Sequence, residues 1–224
     1  MQIVKVTTTD NYFLFGSYFP VKGASCAVVH VHGSGGNFYY NNFYLYIAKA
    51  VNQEGIMYIT TNNRGSGIYE LELDTPPAGI SLEIFEDCLK DIDAWIEFAI
   101  SEGATSIILE GHSFGIGKTT YYMAQGKYKD KVKAVIHLGT NGLYHTQIQY
   151  LNKNHLDPEA YLAEAKKLES TALLSDPRAL SGYYPASAQT YLNFYSPNSN
   201  VSKTSQMTSK EEGGLRHLIK TPLL

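Results

Sequence analysis

One stretch constrains the fold more than any other: the apolar run Ile107-Ile108-Leu109-Glu110 passes directly into Gly111-His112-Ser113-Phe114-Gly115. Gly-x-Ser-x-Gly alone is a weak pattern, and its placement carries the argument. Ser106 to Leu109 reads as a buried parallel strand, and Ile116 to Gln125 as a helix closed by Gly126. A strand that turns sharply into a helix at such a motif is the context of a nucleophile elbow, which holds a serine hydroxyl above the sheet edge. At Gly111 and Gly115 a side chain would fall where strand and helix nearly touch, and the serine between them sits in a strained backbone region. Ser113 is therefore the candidate nucleophile.

A second pattern overlaps this one. Gly117-Lys118-Thr119 resembles the end of a Gly-x-x-x-x-Gly-Lys-[Ser/Thr] phosphate loop, but the first glycine would have to stand at position 112, which is His112. The mismatch argues against nucleotide binding.

The rest of the chain supplies a scaffold that suits the elbow. Residues 1–9 and 12–19 alternate polar and apolar around Asp10-Asn11, which predicts an edge hairpin. Ser25 to Val31 is an apolar run broken only by His30, as for a strand buried on both faces, and it ends in His32-Gly33-Ser34-Gly35-Gly36. A helix is expected over 40–52 and a strand over 56–61, followed by the turn-rich Asn62-Asn63-Arg64-Gly65-Ser66-Gly67. Apolar residues at spacings of three and four predict a long helix over 81–101, with Ser81 as cap and Gly103 as stop. A further strand is expected over 132–139. Strict alternation of strands and helices predicts an α/β, doubly wound, mostly parallel sheet, with ligands collecting at the carboxyl ends of its strands. The 32–36 loop, the 62–67 loop and the elbow all fall at that end.

After Gly142 the pattern changes. A helix is predicted over 157–168, opened by Asp157-Pro158-Glu159, and the stretch over 181–199 is rich in tyrosine. These features predict a core over 1–142, a lid inserted after the sixth strand over 143–202, and a return to the core over 203–224. Tyr183, Tyr184, Tyr191, Phe194 and Tyr195 are candidates to line a pocket or to pack beneath the lid. Leu215 to Ile219 reads as a helix and Lys220 to Leu224 as the opening of the next sheet strand.

Composition removes other classes. With 18 Lys and Arg against 21 Asp and Glu, a net charge of -3 and no basic cluster, the chain has no footprint for nucleic acid. No apolar run approaches membrane-spanning length. The N-terminal Met-Gln-Ile-Val-Lys-Val lacks the pattern of a secretory signal. With Cys26 and Cys88 read as free buried thiols, this predicts a cytoplasmic protein.

Acyl transfer through a serine needs donors aimed at the developing oxyanion. The N–H of Phe114 is one candidate, and Ser34 or Gly35 supplies the other from the loop after the third strand. His32, Gly33, His112, Gly111 and Gly115 are expected to support these two loops, and Glu110 to be a structural acid beneath them. A base and an orienting carboxylate are also required, in the order Ser, Asp or Glu, His. The in-chain histidines His137, His145, His155 and His217 suit that role poorly, as do Asp157 and Asp176. The missing acid and base are expected beyond Leu224, on a continuation of the chain or a complementing segment. A homo-oligomer is the other arrangement considered.

The residues His32-Gly33-Ser34-Gly35-Gly36, Asn63-Arg64-Gly65, the 83–95 helix with Asp87, Asp91 and Asp93, and Gly111-His112-Ser113-Phe114-Gly115 followed by Lys118 and Tyr121-Tyr122 resemble the α/β-hydrolase superfamily. Within it they resemble the branch that includes siderophore-ester hydrolases. The resemblance implies hydrolysis of a small-molecule ester, thioester or amide through an acyl-enzyme on Ser113, with no cofactor and no metal. A non-catalytic ligand-binding protein on the same fold is the alternative, because the chain offers no positions for the family's catalytic Asp and His.

Overall fold

The computed structural model describes residues 1–71 and 76–224. Six strands form one sheet: β1 (Gln2–Thr7), β2 (Phe13–Phe19), β3 (Cys26–Val31), β4 (Met57–Thr61), β5 (Ser106–His112) and β6 (Val132–Leu138), in the spatial order β1-β2-β4-β3-β5-β6. The hairpin β1–β2 pairs antiparallel and joins β4 antiparallel; β4, β3, β5 and β6 are mutually parallel. The expected mostly parallel sheet with an edge hairpin is thus present. β5 lies between β3 and β6, so the end of the elbow strand meets the end of the strand that delivers the Gly-rich loop.

The period-two code of β3 explains how both faces are covered. Ala27, Val29 and Val31 point into a core with Trp95, Ile96 and Tyr122, whereas Val28 packs with Tyr44, Ala48 and Tyr58 on the other face. The first face carries α2 (Cys88–Ser101) and α3 (Gly115–Gln125), the second α1 (Phe43–Gln53). Trp95 of α2 docks where Gly16 leaves room: a Cβ there would lie 2.6 Å from the Trp95 ring and 2.5 Å from the carbonyl of Thr60. Its indole N–H donates to the carbonyl of Asn62 at 2.8 Å, which fixes the start of the 62–67 loop.

Four further helices follow β6: α4 (Leu143–Lys153), α5 (Pro158–Lys167), α6 (Ala188–Tyr195) and α7 (Asn200–Thr204). They build a second cluster with Phe85 and Phe114 of the core. Leu223 then bridges Val135 in parallel, and the N–H groups of Val135 and His137 donate to the carbonyls of Pro222 and Leu224 at 2.8 and 2.9 Å. Near the C-terminus the chain thus lies alongside β6 through an isolated parallel bridge at Leu223.

Several boundaries differ from the sequence reading. α1 begins at Phe43 and α2 at Cys88, after a single 3-10 turn at Phe85–Asp87. Ser81 is no cap: its N–H donates to Ile68, and its carbonyl accepts from the Ser187 N–H and the Thr190 hydroxyl, so the 81–84 stretch is tied to its neighbours rather than wound into the helix. Residues 215–219 yield only a 3-10 turn at Arg216–Leu218. Cys88 is buried, but Cys26 is only half-buried, and both are free thiols.

Candidate functional site

Ser113 stands between the last residue of β5, His112, and the first of α3, Gly115, and its φ of 53° lies in the left-handed region. A non-glycine residue in that region is strained by roughly 1–2 kcal/mol and persists only where the surroundings over-determine it. Those surroundings are visible. A Cβ on Gly111 would lie 2.7 Å from both the carbonyl of Gly115 and Oγ1 of Thr119, and one on Gly115 would strike the carbonyl of Val31. Strand and helix therefore touch backbone to backbone, and the chain can turn only at the residue between them.

The Gly-rich loop lies against this corner. A Cβ on Gly33 would come within 2.9 Å of Cβ and 3.3 Å of Oγ of Ser113. The loop folds back on itself through the Gly36 N–H to Gly33 carbonyl bond of 3.1 Å. Gly35, with φ +58°, bridges Ser66 in parallel, so the 32–36 and 62–67 loops are stitched together. The backbone N–H groups of Ser34 and Phe114 have no hydrogen-bond acceptor among the described residues.

His32 holds the seam. Its Nε2 accepts from the Asn63 N–H at 3.3 Å and lies 2.7 Å from the Ser66 hydroxyl, while its Nδ1 lies 2.6 Å from the Gly33 carbonyl. That set of partners assigns the proton to Nδ1 and makes the Ser66 hydroxyl a donor. Burial pushes its pKa well below the ordinary value, and the nearby Lys118 ammonium pushes the same way. With both nitrogens occupied and protonation disfavoured, His32 positions backbone and is no base. His112 is half-buried beside Phe43, with its pKa lowered chiefly by burial. Glu110 is buried beneath the corner, 2.6 Å from Nδ1 of His30 and accepting the Tyr58 hydroxyl at 2.8 Å.

Lys118, the residue of the rejected phosphate loop, is fully buried. Its ammonium pairs with Oε1 of Glu83 at 2.5 Å and donates to Oδ1 of Asn63 at 2.9 Å. It is spent inside the protein, anchoring the 62–67 loop from below. Arg64 anchors the same loop from outside through Asp91 and Asp10. The sequence reading did not identify Lys118, Glu83 or Ser66 as supports, since their pairing is set by tertiary approach of separate elements.

Ser113 opens on a cavity of about 920 Å³. Ser34, Gly35, Phe114, His32, Gly33 and His112 all line it. The helical segment forms the opposite wall, with Leu143, His145, Thr146, Leu180, Tyr183 and Tyr184. Of the aromatic candidates, Tyr183 and Tyr184 face the cavity, whereas Tyr191, Phe194 and Tyr195 are buried in the cluster behind it. Phe114 joins that cluster, with ring centroids 5.6 Å from Phe85 and 5.4 Å from Phe194.

The relay behind Ser113 is another matter. Among the described residues no histidine is hydrogen-bonded to its Oγ, and no Asp or Glu lines the cavity. His145 lines it but is held through Nδ1 by the Ser205 hydroxyl at 3.1 Å. His137 lies by Thr119, its pKa lowered to about 4 mainly by burial, and His217 is tied to the carbonyl of Gly214. His155 has φ +55° at the turn after α4. Asp157 caps α5 and Asp176 accepts from Tyr150 and Tyr161. Among the described residues no group of three or more His, Cys, Asp or Glu is placed to hold a metal, and no helix is long and apolar enough to cross a membrane.

Known proteins give this arrangement a family. No curated sequence matches the chain at a significant level. Among solved structures, a siderophore hydrolase from Aspergillus fumigatus superposes with a TM-score of 0.65 at 15% identity, covering 100% of this chain and 76% of its own. An esterase of Pyrococcus furiosus gives 0.55 at 17% identity, covering 87% of this chain and 66% of its own. A monoglyceride lipase variant from Saccharomyces cerevisiae gives 0.55 at 18% identity, covering 91% and 72%. The chain thus spans about two thirds to three quarters of the length of these structures, and at such identities they establish the α/β-hydrolase fold. The serine aminopeptidase S33 family matches residues 23–188, and the chain belongs to that family of α/β-hydrolase-fold proteins.

Proposed function

We propose that this chain carries the nucleophile and oxyanion-binding parts of a serine esterase. Ser113 attacks the carbonyl carbon of a small-molecule ester, the alcohol leaves, and water later releases the acyl group from Oγ. The N–H of Phe114 receives the developing oxyanion from one side. The second donor is the N–H of Ser34 or of Gly35, neither of which has an acceptor among the described residues. Residues 143–202 act as the cap over the cavity.

The observation that carries this reading is Ser113 in a left-handed conformation at the β5–α3 corner, with the Gly33 backbone in van der Waals contact and a cavity above it. The Ser113 hydroxyl makes no hydrogen bond to the described residues and its backbone is strained, which supports a chemical role. Esterases and a lipase among the structural neighbours are in keeping with ester chemistry. The base and its carboxylate are not assigned to any described residue.

A fluorophosphonate probe tests the reading directly. Mass spectrometry should place the adduct on the Ser113 peptide, and Ser113→Ala should lose it. An unlabelled Ser113 in the natural full-length protein, under conditions where a control serine hydrolase reacts, overturns the proposal.

A further inference from the structure

The walls of the cavity carry a chemical signature of their own. Charged residues make up 17% of the chain, yet no Asp, Glu, Lys or Arg is among the described residues that line the cavity. The nearby charges are turned inward and neutralised: Lys118 with Glu83, and Arg64 with Asp91. In place of charge the walls present side-chain amides. Asn37 has its Oδ1 occupied by the N–H groups of Tyr39 and Tyr40 at 3.1 and 2.7 Å, which leaves its NH2 free. Gln206 has its Oε1 taken by the N–H of Asn141 at 2.8 Å, which leaves a second free NH2. Asn41 donates to the Tyr44 hydroxyl at 3.2 Å, which leaves a free carbonyl. Gln149, on the exposed side of α4, offers both.

We infer that the cavity is built for an uncharged ester whose body carries amide groups, an inference that rests on the esterase reading of Ser113. An ion entering a partly enclosed site sheds water and finds no carboxylate, ammonium or guanidinium counter-charge among the described residues that line it. A long hydrocarbon chain would leave the wall amides desolvated and unpaired. A neutral amide exchanges its water hydrogen bonds for equivalent ones to free NH2 and C=O groups. Tyr40 and Tyr183, 78% and 71% exposed, stand on the rim from the post-β3 loop and the helical segment, and their ring faces can cover a planar amide.

The test compares 4-nitrophenyl esters of N-acetylglycine, succinic acid, 6-aminohexanoic acid and decanoic acid. The neutral amide ester should exceed each of the others at least tenfold in kcat/KM. Gln149→Lys, a substitution at an exposed helix position, should raise the succinyl ester relative to the neutral one at least fivefold. A parallel titration of Ser113→Ala by calorimetry, with the ethyl esters of the same acids, reads wall preference without turnover. Hydrolysis with equal or greater rates for a charged or decanoyl ester overturns the substrate inference and leaves the esterase reading standing. Absent hydrolysis and absent fluorophosphonate labelling of the natural full-length protein overturn the esterase reading, and calorimetry then decides the wall: tenfold tighter binding of the neutral amide upholds its preference, and no preference ends it.

Discussion

Replacing Lys118 with Met removes a buried ammonium and leaves Glu83 facing an apolar thioether. Glu83 is itself buried, its Oε2 has no partner among the described residues, and a Cβ on Gly65 would collide with its carboxylate, so the group has no room to escape to solvent. Breaking a buried pair from one side typically destabilises by about 3–5 kcal/mol. At about 2–4 °C per kcal/mol for a chain of this size, Tm should fall on the order of 10 °C. The loss should depend on pH with a definite sign. Burial already pushes the Glu83 carboxyl above its ordinary value of 4.5, and Lys118 opposes that push. With Lys118 gone the folded-state pKa rises further. A carboxyl whose folded pKa exceeds its unfolded one contributes stability below the unfolded value and loses it as pH rises through the folded one. The Tm deficit of Lys118→Met should therefore be small at pH 5 and larger at pH 8, by differential scanning fluorimetry across that range. Adding Glu83→Leu removes the stranded carboxylate and should recover much of the loss. A deficit equal at the two pH values, or a double variant no more stable than the single one, would refute the reasoning.

Three further outcomes follow from the same geometry. Ser113→Gly should relieve the left-handed strain and raise stability by about 0.5–1 kcal/mol after glycine's own entropy, whereas Ser113→Ala should give no gain; chemical denaturation at matched m-values checks this. His137→Gln should flatten the acid limb of the stability curve between pH 6.5 and about 4. In the wild type the buried ring stays neutral while the unfolded chain takes up a proton, so stability is lost as pH falls through that window. Gly33→Ala should slow fluorophosphonate labelling of Ser113 on the order of 10²-fold, because a methyl 2.9 Å from the Ser113 Cβ displaces the loop that carries Ser34. Its stability penalty should stay within about 1–3 kcal/mol, and an unslowed rate would remove Gly33 from the site.

What the sequence made legible is what local patterning encodes. β3 and β5 are apolar runs ended by glycine, and α2 repeats its apolar residues at helical spacing, so the succession of strands and helices and the turn at Ser113 could be placed along the chain. The helices after β6 were harder for a physical reason. α4 buries a polar residue, Gln147, because its side chain accepts from the Ser181 N–H at 2.6 Å and donates to the Tyr191 hydroxyl at 3.1 Å. A helix that buries an amide has no clean apolar stripe to read. The Ser81 cap failed for a related reason, since its carbonyl is claimed by Ser187 and Thr190 from far along the chain. Nor does sequence distinguish Tyr184, which faces the cavity, from Tyr191, which stacks on Tyr161 at 5.7 Å behind it.

These two kinds of legibility match two kinds of task within the site. The atoms assigned to chemistry hang on backbone: the corner at Ser113, the turn at Gly33, and the bridge from Gly35 to Ser66. That backbone is fixed by glycines and by buried partners such as His32 and Lys118, so little reorganisation remains when charge develops. The groups assigned to selection are side chains on the post-β3 loop and the helical segment, where one substitution changes the wall and leaves the sheet alone. Phe114 belongs to both, for its N–H is the proposed oxyanion donor while its ring lies between Phe85 and Phe194. The segment over 143–202 is therefore pinned at the corner itself, while Tyr183 and Tyr40 at the rim are largely exposed. Truncating Tyr183 to Ala should accordingly change KM with little effect on kcat, whereas truncating Phe194 should lower kcat, because it loosens the residue that holds a donor.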